Sequence, residues 1–267
     1  MGQGPIGLGY ARRAMPLPDE AVVQSLLTRV RRLADSLGGG QLQERPWHYL
    51  DILALFDRCR SLLGAIQLLL QRGFPHEALM LGRPLLTDSL ALAELAAADE
   101  RRRAELVIGW ELASVADLRG TNVEGEAQGH DVQEQVAGLD SLRAWLEEYG
   151  RNQGVRPKHW KPDADVKTLA TKHGREDEYL DLRVVQQFVH GSTFATAQRY
   201  STRENPVIVG GADVETESWA FAAGGSAAQA GLHAARAICT ILDLEEPAEL
   251  TGLLSEVEAM AEQAKTP

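Results

Sequence analysis

A chain of 267 residues with 44% hydrophobic and 24% charged side chains has ordinary globular composition and enough apolar surface for a sizeable core. Its only cysteines, Cys59 and Cys239, both lie in apolar runs, which excludes a disulfide framework or a paired-cysteine metal knuckle. A net charge of −11 excludes the coating of long DNA by bulk electrostatics, because phosphate binding needs clustered Lys and Arg.

The opening "MGQGPIGLGYARRAMPLP" has no apolar leader core, and Ile6 breaks the myristoylation pattern. The best apolar run, "LLGAIQLLL", is too short to span a bilayer. A soluble cytoplasmic protein with no membrane partner is therefore expected. Val22, Val23, Leu26, Leu27, Val30, Leu33 and Leu37 repeat at three-and-four spacing, which predicts an amphipathic helix ended by the glycines at 38–40. Helices are predicted over 47–72, 76–97 and 101–118, followed by a polar, Gly-rich loop at 120–130. Further helices are expected at 132–149, 165–173, 177–200, 215–243 and 246–264. Only "NPVIVGG" has room for extended chain, as one short hairpin near 206–211.

The expected fold is all-α, a single multi-helix bundle of about eight to nine helices. Residues 1–44 form a tail and an appended amphipathic helix, 45–245 a helical core domain and 246–267 a C-terminal helix.

Three polar strips interrupt these apolar helices. On the third helix, His76, Arg83, Thr87 and Glu94 fall within roughly 40° of one another. Arg83 stands beside a mid-helix proline, Pro84, which frees a carbonyl and kinks the axis. Arg83 is either an anion-binding charge or a structural Arg paired to Glu94, Asp88 or another acid. On the helix at 215–243, Ser226, Gln229, His233, Arg236 and Thr240 form a strip facing either ligand or solvent. On the helix at 177–200, Tyr179, Arg183, Gln187 and His190 share one face within "YLDLRVVQQFVHG". That face carries neither Lys nor Glu, unlike an ordinary solvated one.

Immediately before it lies the basic segment of the chain: Arg151, Arg156, Lys158, Lys161, Lys167, Lys172 and Arg175 against only Asp163 and Asp165 between residues 151 and 175. Lys158, Trp160 and Lys161 are its candidate binding residues, with a solvated connector as the alternative. Arg183 and His190 suit phosphodiester cleavage. A histidine near its ordinary pKa can take the 2′-hydroxyl proton or protonate the leaving oxygen. An Arg fork stabilises charge developing on the phosphate. There is no HExxH, Cys/His ligand set or Glu-x-x-His pair, so no metal or cofactor is expected.

"LLLQRGFPHEALMLGRPLLTDSLALAEL" and "YLDLRVVQQFVHGSTF" resemble a poorly characterised bacterial all-helical family, a domain of unknown function, over about residues 60–195. Arg183-x6-His190 is similar to the Arg-x4–6-His signature of HEPN domains, although Val184 follows the Arg where Asn, Asp or His is usual. The HEPN resemblance implies a helical, often dimeric, metal-independent ribonuclease of toxin or anti-phage systems. RNA and a second copy of the chain would then be partners, with Arg183 and His190 the catalytic pair. The alternative is a non-enzymatic helical ligand-binding or regulatory protein using Arg83, His233 and His190.

Overall fold

The computed structural model describes residues 20–37, 45–180 and 214–265. Among the described residues there are eight helices and no strand: α1 (Glu20–Leu37), α2 (His48–Gln71), α3 (Pro75–Ala96), α4 (Glu100–Ala127), α5 (Gln133–Asn152), α6 (Val166–Lys172), α7 (Val214–Leu242) and α8 (Ala248–Lys265). Residues 176–180 are also helical. The all-α bundle expected from periodicity is the fold the chain adopts. The hairpin expected near 206–211, and the helix at 177–200 beyond its first turn, lie outside the described residues.

α3 is the hub, with α2, α7 and α6 packed around it, and α7 in turn carries α1 and α8. One large core joins α1, α2, α3, α4, α7 and α8, including Leu27, Ile52, Ile66, Leu92 and Leu253. The composition of α7 explains why it can sit so centrally. Its buried positions are mostly alanine, and a Cβ on Gly231 would come within 2.7 Å of Leu63, while one on Gly224 would overlap Val23. Small side chains let the α7 backbone approach α1 and α2 closely.

Two smaller cores hold the remaining pieces. Leu86 and Leu90 of α3 meet Val166, Leu169 and Ala170 of α6. Ala104, Ile108 and Leu112 of α4 meet Leu146 of α5 and Val155. No described helix is long and apolar enough to cross a membrane.

One expected loop is mostly helix. α4 continues through Gly120 and Gly125 to Ala127, so the break is confined to 128–132. A glycine in a helix costs about 1 kcal/mol relative to alanine. Here Asn122 and Gly125 are half-buried, Gly125 lies beside the His130 ring, and Arg119 donates to Asp140 of α5 at 2.7 Å. Tertiary contact outweighs the local propensity.

Candidate functional site

The basic segment is fastened to the bundle. The Val155 N–H donates to the Gly150 carbonyl at 3.0 Å and the Trp160 N–H to the Gly109 carbonyl at 3.2 Å. A Cβ on Gly109 would overlap the Lys158 carbonyl, so only glycine lets this segment lie flat on α4. Trp160 is half-buried, packs on the large core and the α3–α6 core, and meets Trp110 edge to face at 6.4 Å. It acts as a wedge holding the segment down.

The charges of that segment divide into two sets. Lys161 is held by Asp117 and Lys172 by Glu94, each at 2.7 Å, and Arg175 turns into the protein. Arg151, Arg156, Lys158 and Lys167 have no carboxylate partner among the described residues. Arg151, Arg156 and His159, together with the paired Arg143 and Glu147, line a groove of about 510 Å³ between α5 and the segment at 155–159, with Leu112 of α4 at its wall. Lys158 is exposed beside it. A fixed cationic track therefore lies on the surface of an acidic chain.

A buried ionic latch lies directly after this track. Gly174 adopts φ +66°, a left-handed turn that ends α6 and sends Arg175 inward, its side chain only 4% exposed. Arg175 donates from Nε and Nη2 to both oxygens of Glu178 at 2.6 Å. Its Nη1 donates to Ser89 Oγ at 2.8 Å, and Ser89 donates onward to the Ala230 carbonyl at 2.8 Å. One guanidinium thus ties residues 175–178 to α3 and α7. Tyr179, the first residue of the expected strip, is half-buried against the α3–α6 core. His233 Nε2 stands 3.9 Å from Glu178. Burial, with the Arg175 and Arg236 charges adding to it, pushes the His233 pKa down to about 3, so the ring is neutral at pH 7.

Arg83 is half-buried and pairs with neither Asp88 nor Glu94. Asp88 points about 140° away from Arg83 around the helix and accepts from Arg58 at 2.6 and 2.7 Å. Burial outweighs Arg58 and raises the Asp88 pKa to about 6. Glu94 shares the face of Arg83 but lies ~16 Å along the axis, where Lys172 and His173 hold it. Thr87 donates to the Arg83 carbonyl at 3.0 Å, beside the Pro84 interruption.

The structure brings Tyr179 and His233 to the latch, and Lys158, Trp160 and Lys161 to the track; Arg83 is apart from both. Arg183, Gln187 and His190 lie outside the described residues. Sequence reasoning names neither Arg58, Ser89 nor Glu178; it counts Arg175 within the basic segment and Asp88 as a partner for Arg83. The available signal is an Arg and a Glu three residues apart directly after a glycine, but counting charges does not tell a buried Arg from an exposed one.

Also missed was the polar knot at the start of α2. Burial lowers the His48 pKa, so the neutral ring donates to Glu100 at 3.0 Å and accepts from the Tyr149 hydroxyl at 3.3 Å. Tyr49 donates to the same Glu100. Beside the knot, Trp47, Trp145 and Tyr149 form an aromatic trio with centroids 4.7–5.7 Å apart. Among the described residues no three His, Cys, Asp or Glu side chains converge as a metal site requires.

Fold and site together define an all-helical bundle protein with a fastened cationic track next to a buried ionic latch. Residues 51–206 match a family described as a family of unknown function (DUF5677), and since the match covers more than half of the chain the protein belongs to that family. No curated protein matches the chain, and no solved structure does. The matched residues end before α7, yet α7 packs along the matched α3, so the folded unit extends past them.

Proposed function

We propose that the protein is a cytoplasmic RNA-binding effector of HEPN type, a metal-independent endoribonuclease of a bacterial defence or toxin system that acts as a dimer. The observation that carries this reading is the fastened track, where Arg151, Arg156 and Lys158 have no carboxylate partner among the described residues, in a chain of net charge −11. Clustered, unpaired cations are what a polyanion with a phosphate every few ångströms requires. The latch supports the reading as well. Arg175 and Glu178 anchor the start of the segment that carries Tyr179 and continues to Arg183 and His190.

In the proposed reaction the 2′-oxygen attacks phosphorus and the 5′-oxygen leaves, giving a 2′,3′-cyclic phosphate. His190 takes the 2′-hydroxyl proton or donates one to the leaving oxygen, and Arg183 stabilises the charge on the phosphoryl oxygens. Wild type is expected to arrest growth and to cleave RNA in EDTA, with H190A doing neither. Equal toxicity, or equal inactivity, of the two proteins removes the enzyme reading.

A second reading, a non-enzymatic ligand-binding or regulatory protein, is favoured by Arg83, half-buried with no carboxylate partner among the described residues. There R83A is expected to leave the melting temperature of the free protein nearly unchanged. A large loss without any ligand would assign Arg83 a structural role instead.

A further inference from the structure

α1 and α2 leave a groove of about 770 Å³ along their seam, on helices that contribute nothing to the cationic track. Arg60 donates to Asp35 at 2.7 Å, and Gln67, further along α2, donates to Thr28, earlier on α1, at 2.7 Å. These pairings set the two helices antiparallel. On α1, Thr28, Arg31, Arg32 and Asp35 lie within about 100° of one another, and on α2 Arg60, Gly64 and Gln67 within about 60°, so one face of each helix lines the groove.

The charges there are unevenly engaged. Arg60 gives Nε and Nη2 to Asp35 and Nη1 to Asp57, which leaves its guanidinium no free edge. Arg31 only approaches Asp35, at 3.9 Å, too far for a hydrogen bond. Arg32 has no carboxylate partner among the described residues. Two guanidinium forks are therefore open on one turn of α1, beside an acid that Arg60 already holds. Arg31 lies across Gly64, where a Cβ would come 3.5 Å from its Cζ, so the missing side chain leaves the floor beneath the fork clear. The flank of α2 adds an apolar wall: Ala65 is half-buried and Leu68 keeps 53% of its surface exposed. Open donors beside an apolar wall, in a space of this size, suit a small ligand. A phosphate dianion matches two planar forks in charge and geometry, whereas a carboxylate needs only one.

We propose that the α1–α2 groove binds a small phosphate monoester, its phosphate on Arg31 and Arg32 and its apolar part against Ala65 and Leu68. The site joins α1, which precedes the family match, to α2, which the match covers from residue 51. Occupancy therefore fastens α1 to the family unit. The proposal is independent of the RNA-binding reading.

The test is isothermal titration calorimetry of the full-length protein at fixed ionic strength with phenyl phosphate, inorganic phosphate and benzoate. Phenyl phosphate is expected to bind tightest, about fivefold or more tighter than inorganic phosphate because its ring covers Leu68, and benzoate about tenfold weaker than phenyl phosphate. R31A/R32A is expected to weaken phenyl phosphate about tenfold or more. R31K/R32K, which keeps the charge without the fork, recovers only part of that loss. L68A brings phenyl phosphate to the level of inorganic phosphate and leaves the latter unchanged. Amide exchange along α1 is expected to slow when phenyl phosphate is bound. Far-UV circular dichroism confirms that the variants fold, and L68A keeps the test valid if R31A/R32A does not. Absence of saturable wild-type binding, or R31A/R32A binding phenyl phosphate like wild type, overturns the site. Benzoate binding as tightly as phenyl phosphate overturns the assignment to phosphate, and no gain from the phenyl ring overturns the apolar contact. Loss of RNA binding in R31A/R32A makes the groove part of an RNA surface and overturns the small-ligand assignment.

Discussion

Arg175 spends every edge of its guanidinium inside the protein. Nε and Nη2 go to Glu178, and Nη1 to Ser89. A buried pair of this kind is weak evidence of stability, but breaking it strands a charge. R175A is expected to cost about 3–5 kcal/mol in urea unfolding, and the apolar double replacement R175M/E178L to recover most of that loss. Two other side chains set opposite pH dependences.

Unfolded His233 takes up a proton near 6.5, whereas the folded residue does so only near 3. Between those values the unfolded state binds more protons, so stability falls as pH drops. H233Q is expected to flatten that acidic limb. Asp51, its Oδ2 buried without a hydrogen-bond partner, is pushed up to about 7 by burial and by the Glu111 charge. There the folded state binds more protons between about 3.8 and 7, so this contribution falls as pH rises. D51N is expected to raise the melting temperature at pH 8, by about 2–4 °C per kcal/mol gained, and to change little at pH 4.

At the scale of elements, position depends on which backbones are allowed to touch. The basic segment reaches α4 only because residue 109 lacks a side chain. G109A is expected to keep helical circular dichroism while weakening RNA binding, since the segment must lift off α4. The same logic applies to α7. G231V forces a branched side chain into Leu63 and is expected to cost about 1–3 kcal/mol or more by overpacking. Helix periodicity located α1, α2, α3, α5 and α7 closely, because their apolar stripes face a core. It failed at 120–127, where two glycines read as a loop but the helix runs on past the Arg119–Asp140 pair with α5 to Ala127. The latch was illegible for the opposite reason. Its partners come from α3, α7 and residues 175–178, and no local pattern records a contact between positions 89, 175 and 230.

For the whole molecule, affinity for RNA is expected to fall with salt, with log K for an unpaired strand changing by about −0.7 per phosphate neutralised on a log-salt axis. R151A, R156A and K158A are each expected to reduce that slope by about 0.7. K161A is expected to leave it unchanged, because Asp117 already neutralises Lys161. Composition and periodicity by themselves determined the all-α class, the order of the helices and the existence of a basic stretch in an acidic chain, since each follows from local spacing and from charges that can be counted. Which of those charges is free was decided only by the tertiary structure. Lys161, Lys172 and Arg175 lose theirs to acids far away in sequence or buried beside them, and Arg151, Arg156 and Lys158 keep theirs because no carboxylate among the described residues is brought to them.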